Sequence, residues 1–214
     1  MDTVNRRIKF VIPVIMEDIT DKCLEKYDLD WKDLILIDNS KEGFCKKYEG
    51  KGAAIYYHPE NAGVSKSWNY GVKSDADYLW VLSSSLVFKH GFSELIEKME
   101  YANDFGLLTN QAWHCLCLGR KTMDMIGLFD EKFYPGYFED NDYLRRMKLA
   151  KIHDLGEYQM PKVELDVECQ GTALAMKAGK VEVDFATLLA YYVEKWGGNP
   201  GQEIFDLPFA GRII

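Results

Sequence analysis

Four short, mostly apolar runs, each closed by a turn signal, constrain this chain more than any other feature. Ile8-Lys-Phe-Val-Ile-Pro-Val14 and Asp33-Leu-Ile-Leu-Ile-Asp38 come first, followed by Ala54-Ile-Tyr-Tyr57 and Tyr78-Leu-Trp-Val-Leu82. Strands that are apolar throughout, rather than at alternate positions, belong to a sheet covered on both faces, which is how parallel sheets are built. Between the first two runs, Asp18 to Tyr27 carries Ile19, Cys23 and Leu24 at helical spacing and completes a β–α–β unit. His58-Pro-Glu-Asn-Ala-Gly63 closes the third run, and a helix is predicted over 64–73. The alternation predicts an α/β fold with a central, mostly parallel mixed sheet flanked by helices. Ligands of such sheets bind beyond the carboxyl ends of the strands. Pro13-Val14, Asp38-Asn39-Ser40, Asn61 to Gly63 and Ser83 to Ser85 are therefore expected to converge on one crevice.

The second half is less regular. A helix is predicted over 92–101, strands over 105–109 and 113–118, a helix over 140–151, strand character over 162–169 and a helix over 185–194. With 214 residues, 47% of them hydrophobic, the chain is long enough for one sizeable core. No repeat, low-complexity tract or Pro/Gly-rich linker divides it, so one domain is expected over 1–214. The net charge of −8 argues against a nucleic-acid partner, which calls for a basic surface. The apolar runs fall far below the ~20 residues that span a bilayer, so no transmembrane segment is expected. Five cysteines with no paired metal spacing read as free thiols of a reducing, cytoplasmic setting, with Cys115 and Cys117 alternating along a strand. Residues 205–214 stay apolar, as a docked tail or the lead into further domains.

One segment stands apart. Gly127-Leu-Phe-Asp-Glu-Lys-Phe-Tyr-Pro-Gly-Tyr-Phe-Glu-Asp-Asn-Asp-Tyr-Leu-Arg-Arg146 concentrates carboxylates among aromatics ahead of a helix. The turn at Pro135-Gly136 puts Glu139 and Asp140 at the helix N-terminus, where backbone N–H groups and the macrodipole favour an ionised acid. Such an acid either caps the helix or serves as a base near neutral pH.

Taken in order, Ile35-Leu-Ile-Asp-Asn-Ser40, Asn61-Ala-Gly-Val-Ser-Lys-Ser-Trp-Asn-Tyr-Gly71, Gly127-Leu-Phe-Asp-Glu131 and Phe138-Glu-Asp-Asn-Asp-Tyr-Leu-Arg145 resemble the GT-A glycosyltransferases of family 2 type, over roughly residues 8 to 146. Lys195-Trp-Gly-Gly198 resembles a subgroup that includes bacterial and viral cell-surface sugar transferases, which would place a viral protein in the host cytoplasm. The resemblance implies inverting transfer of a hexose or deoxyhexose from a UDP-sugar to a sugar hydroxyl of a glycan or glycoprotein acceptor. It implies a nucleotide-binding half at about 1–90 and an acceptor-side half at about 91–214. Asp140 matches the family's general base. Pro13 and Val14 would frame the base, and Asp38 would accept from the pyrimidine N3–H unless it only forms a turn. Ser40, Asn61, Gly63, Lys66, Asn69, Ser83, Ser84 and Ser85 complete the implied nucleotide set, with Gly63 needed for its backbone and Lys66 equally explained as a solvated charge. Glu139, Tyr137 and Trp196 are the implied acceptor residues.

The chain departs from the family after the fourth strand, where an Asp-x-Asp pair usually holds a divalent metal and Ser83-Ser84-Ser85 stands instead. Asp75-Ala-Asp77 has the letters but precedes the strand, about 17 Å away at ~3.3 Å per residue. Two expectations stay open for the diphosphate: Mn²⁺ or Mg²⁺ held weakly by Ser85, the diphosphate itself and a remote ligand such as Asp38, Asp140 or a histidine, or a cationic clamp from Lys66, Arg145 and Lys195. His58, His114 and His153 read as surface or packed residues. The lost pair also admits a nucleotide-sugar-binding module without turnover. A dinucleotide-dependent oxidoreductase is disfavoured, because Pro13-Val-Ile-Met-Glu-Asp18 replaces a Gly-x-Gly-x-x-Gly turn.

Overall fold

The computed structural model describes residues 6–169 and 173–211. In chain order its strands are β1 (Ile8–Val14), β2 (Leu34–Asp38), β3 (Ala54–Tyr57), β4 (Tyr78–Leu82), β5 (Leu86–Phe88), β6 (Gly106–Thr109), β7 (Cys115–Gly119), β8 (Lys162–Val163) and β9 (Val167–Cys169). The helices are α1 (Glu17–Tyr27), α2 (Val64–Val72), α3 (Ser93–Met99), α4 (Arg120–Ile126), α5 (Glu139–Leu149), α6 (Ala173–Lys177) and α7 (Phe185–Trp196). Seven strands form one sheet in the order β3-β2-β1-β4-β7-β6-β8. β1 pairs in parallel with both β2 and β4, and β2 with β3, while β7 runs antiparallel to β4 and β6. The strand order reverses between β1 and β4, and that switch point opens the crevice.

The apolar strands are explained by the two cores they separate. Phe10, Ile12, Leu36, Trp80, Leu82 and both Cys115 and Cys117 face one core. Val11, Ile35, Ile37, Leu79, Val81, Leu116 and Leu118 face the other, against Trp68 and Val72 of α2 and Tyr143 and Met147 of α5. Successive residues of one strand thus feed opposite cores, so neither face tolerates a polar side chain. β3 is the exception: it forms the edge of the sheet, and Tyr56 and Tyr57 are exposed there.

Several expected elements change. The run predicted as a strand over 113–118 starts at Cys115, because Ala112–His114 winds into a 3-10 turn. The stretch over 162–169 divides: β8 joins β6 in parallel, and β9 pairs with β5 in a separate two-stranded sheet. β5, α4 and α6 were not expected. α7 runs on to Trp196 and stops at Gly197, whose φ of 77° ends the helix in the left-handed region. The tail folds back on it, since the N–H groups of Ile204 and Phe205 donate to the Trp196 carbonyl and that of Phe209 donates to the Lys195 carbonyl. Asp75 and Asp77 pair with Arg7 at the far end of β4, as their position before the strand predicts.

Candidate functional site

A cavity of about 300 Å³ lies at the carboxyl ends of β1 and β4. Its floor is built by a hydrogen-bond chain that ties β2 to α2. Asn39 N–H donates to the Val14 carbonyl at 2.8 Å, its Oδ1 accepts from Ala62 N–H at 2.9 Å, and its Nδ2 donates to Ser67 Oγ at 3.0 Å. Ser67 in turn donates to the Gly63 carbonyl, and Asn61 Oδ1 accepts from Gly63 N–H. Gly63 sits at φ 78°, and a Cβ there would come within 2.8 Å of Tyr134 Cδ2 and 3.1 Å of the Pro135 carbonyl oxygen. That close approach lets Val64 N–H donate to Pro135 at 2.8 Å and brings the acidic segment onto α2.

The opposite wall is that segment. Tyr137 and Phe138 both take left-handed backbone, at φ 76° and 69°, and deliver Glu139 and Asp140 as the first two residues of α5. Tyr137 is braced from behind by Phe185 of α7 and by Met176 of α6. Glu139 is 6% exposed. Burial pushes its carboxyl up, the neighbouring Asp140 charge adds to the effect, and the result is about 8. Burial also raises Asp140, opposed by the Asn141 N–H at 2.8 Å and by the charge of His114. Among the described residues no other side chain caps α5, so the first of the two expected roles survives only as this contact within the first turn.

Pro13, Asn61, Gly63, Ser83, Ser84, Ser85, Tyr137, Glu139 and Asp140 line the cavity together. Six expected residues do not, and each has a physical reason. Val14 packs into the core. Asp38 is fully buried, and its carboxylate is taken up locally: Oδ1 accepts from Ser40 N–H at 2.9 Å and Oγ at 2.5 Å, and Oδ2 from Cys45 N–H at 2.7 Å. Ser40 is spent on that turn and on Phe44 N–H. Asn69 fastens the loop after α4, donating to the Phe129 carbonyl and accepting from its N–H. Lys66 is exposed on α2. Trp196 is wholly buried, its Nε1–H donating to Asp142 at 2.9 Å.

The expected cationic clamp does not form. Lys195 lies between Asp142 and Asp130, at 2.6 and 2.7 Å, and Arg145 holds the Phe205 carbonyl and Asp206. No lysine or arginine lines the cavity among the described residues. For a divalent ion the triplet offers only neutral hydroxyls, those of Ser83 and Ser85 lying 2.9 Å apart, and no group of three His, Cys, Asp or Glu side chains among the described residues could hold one without the diphosphate.

Sequence reasoning missed part of the lining. Trp68, Gln111 and His114 face the cavity, beside Asn39, which the strand-end expectation included, and Trp113. Trp68 lay within the Asn61–Gly71 motif, four residues after Val64 and hence on the same helix face. Gln111, Trp113 and His114 follow β6, whose carboxyl end reaches the crevice because it runs parallel to β4, a direction the sequence did not reveal.

Glu139 makes stability depend on pH. A carboxyl held near 8 when folded and near 4.5 when unfolded binds its proton more tightly in the folded state. Its contribution is therefore full below pH 4.5 and is lost as pH rises to about 8, by about 1.4 kcal/mol per unit. Glu139→Gln is expected to flatten this limb, so that urea unfolding at pH 8.5 favours the variant by several kcal/mol.

No family model and no curated protein matches the chain. Solved structures do. S. aureus TarS superposes with a TM-score of 0.59 at 10% identity, covering 85% of this chain and 41% of TarS. Mannosyltransferase PcManGT from Pyrobaculum calidifontis, in complex with GDP-Man and Mn²⁺, gives 0.56 at 11%, covering 82% and 61%. Glucosyl-3-phosphoglycerate synthase from Mycobacterium tuberculosis, with Mn²⁺, UDP and phosphoglyceric acid, gives 0.55 at 15%, covering 87% and 78%. The chain thus spans 41% and 61% of the lengths of the first two. None of the three is viral, so the viral part of the resemblance gains nothing from them. The fold is that of the GT-A glycosyltransferases.

Proposed function

We propose that this chain is an inverting glycosyltransferase that moves a hexose or deoxyhexose from a UDP-sugar to a sugar hydroxyl, with Asp140 as general base. The observation that carries the reading is the position of Asp140: on the first turn of α5, partly buried, in the cavity at the switch point of a GT-A sheet. The acceptor oxygen attacks the anomeric carbon while its proton passes to an Asp140 carboxylate oxygen. The bond from that carbon to the diphosphate breaks, and UDP leaves with the electron pair. Pro13 would frame the base, and Asn39, which follows β2 and lines the cavity, would take the polar contact in place of the buried Asp38. Tyr137 and Trp113 offer flat faces to the sugars. The acceptor is a hydroxylated glycan, and residues 1–90 form the nucleotide-binding half.

A second reading, nucleotide-sugar binding without turnover, is favoured by one observation, the serine triplet without acidic partners. Thermal shift with UDP, GDP and CMP, with and without Mn²⁺, followed by UDP release from UDP-sugars, tests both. UDP is expected to raise the melting temperature most, since a ligand that binds only the folded state stabilises it. Stabilisation by UDP with no release from any donor selects the second reading. A larger shift with GDP overturns the UDP assignment.

A further inference from the structure

We infer that Glu139 is held as a neutral carboxylic acid and donates a hydrogen bond from its O–H to a hydroxyl oxygen of the bound sugar acceptor, beside the ionised Asp140. The inference rests on the transfer reading above and deepens it, since it assigns the two adjacent acids opposite protonation states and different tasks.

The geometry leaves Glu139 little choice. Its Oε2 is buried and makes no hydrogen bond among the described residues, although the side chain lines the cavity. An ionised carboxylate so placed needs a cation or several N–H donors, and burying one without them is costly. The backbone N–H groups of Glu139 itself and of Tyr137 favour the ionised form, but burial and the Asp140 charge outweigh them, and no lysine or arginine lines the cavity among the described residues. Asp140 on the same helix is anionic and opposes its ionisation, and Tyr137 in the preceding loop is coupled to it by charge. His114, from the 3-10 turn before β7, acts on Asp140. The residues after β4 contribute only serine hydroxyls, and β1 and α2 contribute no titratable side chain to the lining. A carboxyl pair in this setting shares one negative charge, and the more deeply buried member keeps its proton. The rise of Glu139 to about 8 agrees.

A second atom points the same way. The Nε1–H of Trp68, on α2, is also buried without a hydrogen-bond partner among the described residues, and Trp68 lines the same cavity. A donor-only indole and a carboxylic O–H together suit an uncharged, oxygen-rich ligand such as a sugar ring. No bond is made or broken at Glu139: the acceptor proton goes to Asp140, and Glu139 keeps its own. Two consequences separate this role from a structural one. Activity falls on the alkaline side as Glu139 ionises, because the O–H donor is lost and a second negative charge appears beside Asp140. An amide, which stays neutral and still donates, replaces the acid.

The experiment combines a direct and a kinetic readout on the full chain. With carboxyl-¹³C glutamate incorporated, one wild-type resonance is expected to titrate near pH 8 and to be missing from Glu139→Gln. In UDP-release assays Glu139→Gln is expected to keep activity within about tenfold of wild type at pH 7 and to lose the alkaline fall, while Glu139→Ala drops by roughly a hundredfold through KM for the acceptor. The inference is overturned if every glutamate titrates below pH 6, if Glu139→Gln is as impaired as Glu139→Ala, or if the alkaline limb persists unchanged in the amide. Loss of the transfer reading looks different: the resonance near pH 8 is present and UDP binds, but wild type releases no UDP, and the acceptor contact falls with that reading.

Discussion

Asp140→Asn is expected to lower UDP release by about 10²–10⁴ at pH 7 while leaving UDP affinity nearly unchanged, the range a positioned general base supplies. The substitution keeps size and shape, and Asn can still accept from the Asn141 N–H that Asp140 holds at 2.8 Å. What it loses is the capacity to take a proton. Because burial lifts Asp140 above its ordinary 3.8, the acid limb of the wild-type rate should stand above the usual carboxylate range, and that limb should vanish in the variant. Measuring kcat, KM and calorimetric UDP affinity together decides the matter. A variant with full transfer removes Asp140 from the chemistry. A variant that loses UDP affinity in proportion to rate makes it a binding residue instead.

The site was legible where its logic is local. The turn at Pro135-Gly136 and the helix spacing that follows put Glu139 and Asp140 at a helix N-terminus, and the structure has them as the first two residues of α5. The strand ends that border the crevice were legible for the same reason, since apolar runs stop where the sheet stops. Asp38 shows the limit. Its letters suit a nucleobase acceptor and a turn equally, and the deciding partner is the backbone N–H of Cys45, seven residues on, inside a 3-10 turn that no periodicity announces. β5 was hidden because it has three residues and finds its partner, β9, some eighty positions on. α4 was hidden because only Thr122 and Met123 of its seven residues are buried, too few to trace a helical stripe.

Lys195 is the sharpest case, and it carries the second large prediction. The sequence offered it as part of a phosphate clamp, because nothing local shows that α7 lies against α5 and the acidic loop. In the fold its side chain is 8% exposed, with the ammonium between Asp142, which is fully buried, and Asp130. Tyr191 also donates to Asp130, and Trp196 and Arg146 to Asp142, so two cations and two carboxylates balance in one cluster, with Lys195 as the cation that bridges both acids. Removing one member of a buried ionic cluster leaves charge without compensation, at a cost of roughly 3–5 kcal/mol. For a chain of this size that corresponds to a melting temperature lower by about 10 °C. Lys195→Met keeps an unbranched apolar side chain of similar length and removes the ammonium, which lies 5.6 Å from the Phe133 and Trp196 ring centroids, so a loss of this size reports on charge rather than on packing. The two roles then separate cleanly. A clamp residue would weaken UDP binding with little change in melting, as exposed Lys66 would if it reached the phosphates. A structural lysine lowers the melting temperature while the protein that remains folded binds UDP as before. Scanning calorimetry of Lys195→Met and Lys66→Ala, each with and without UDP, is expected to show the second pattern at Lys195 and neither at Lys66; a Lys195 variant that melts like wild type but loses UDP would return it to the phosphate site.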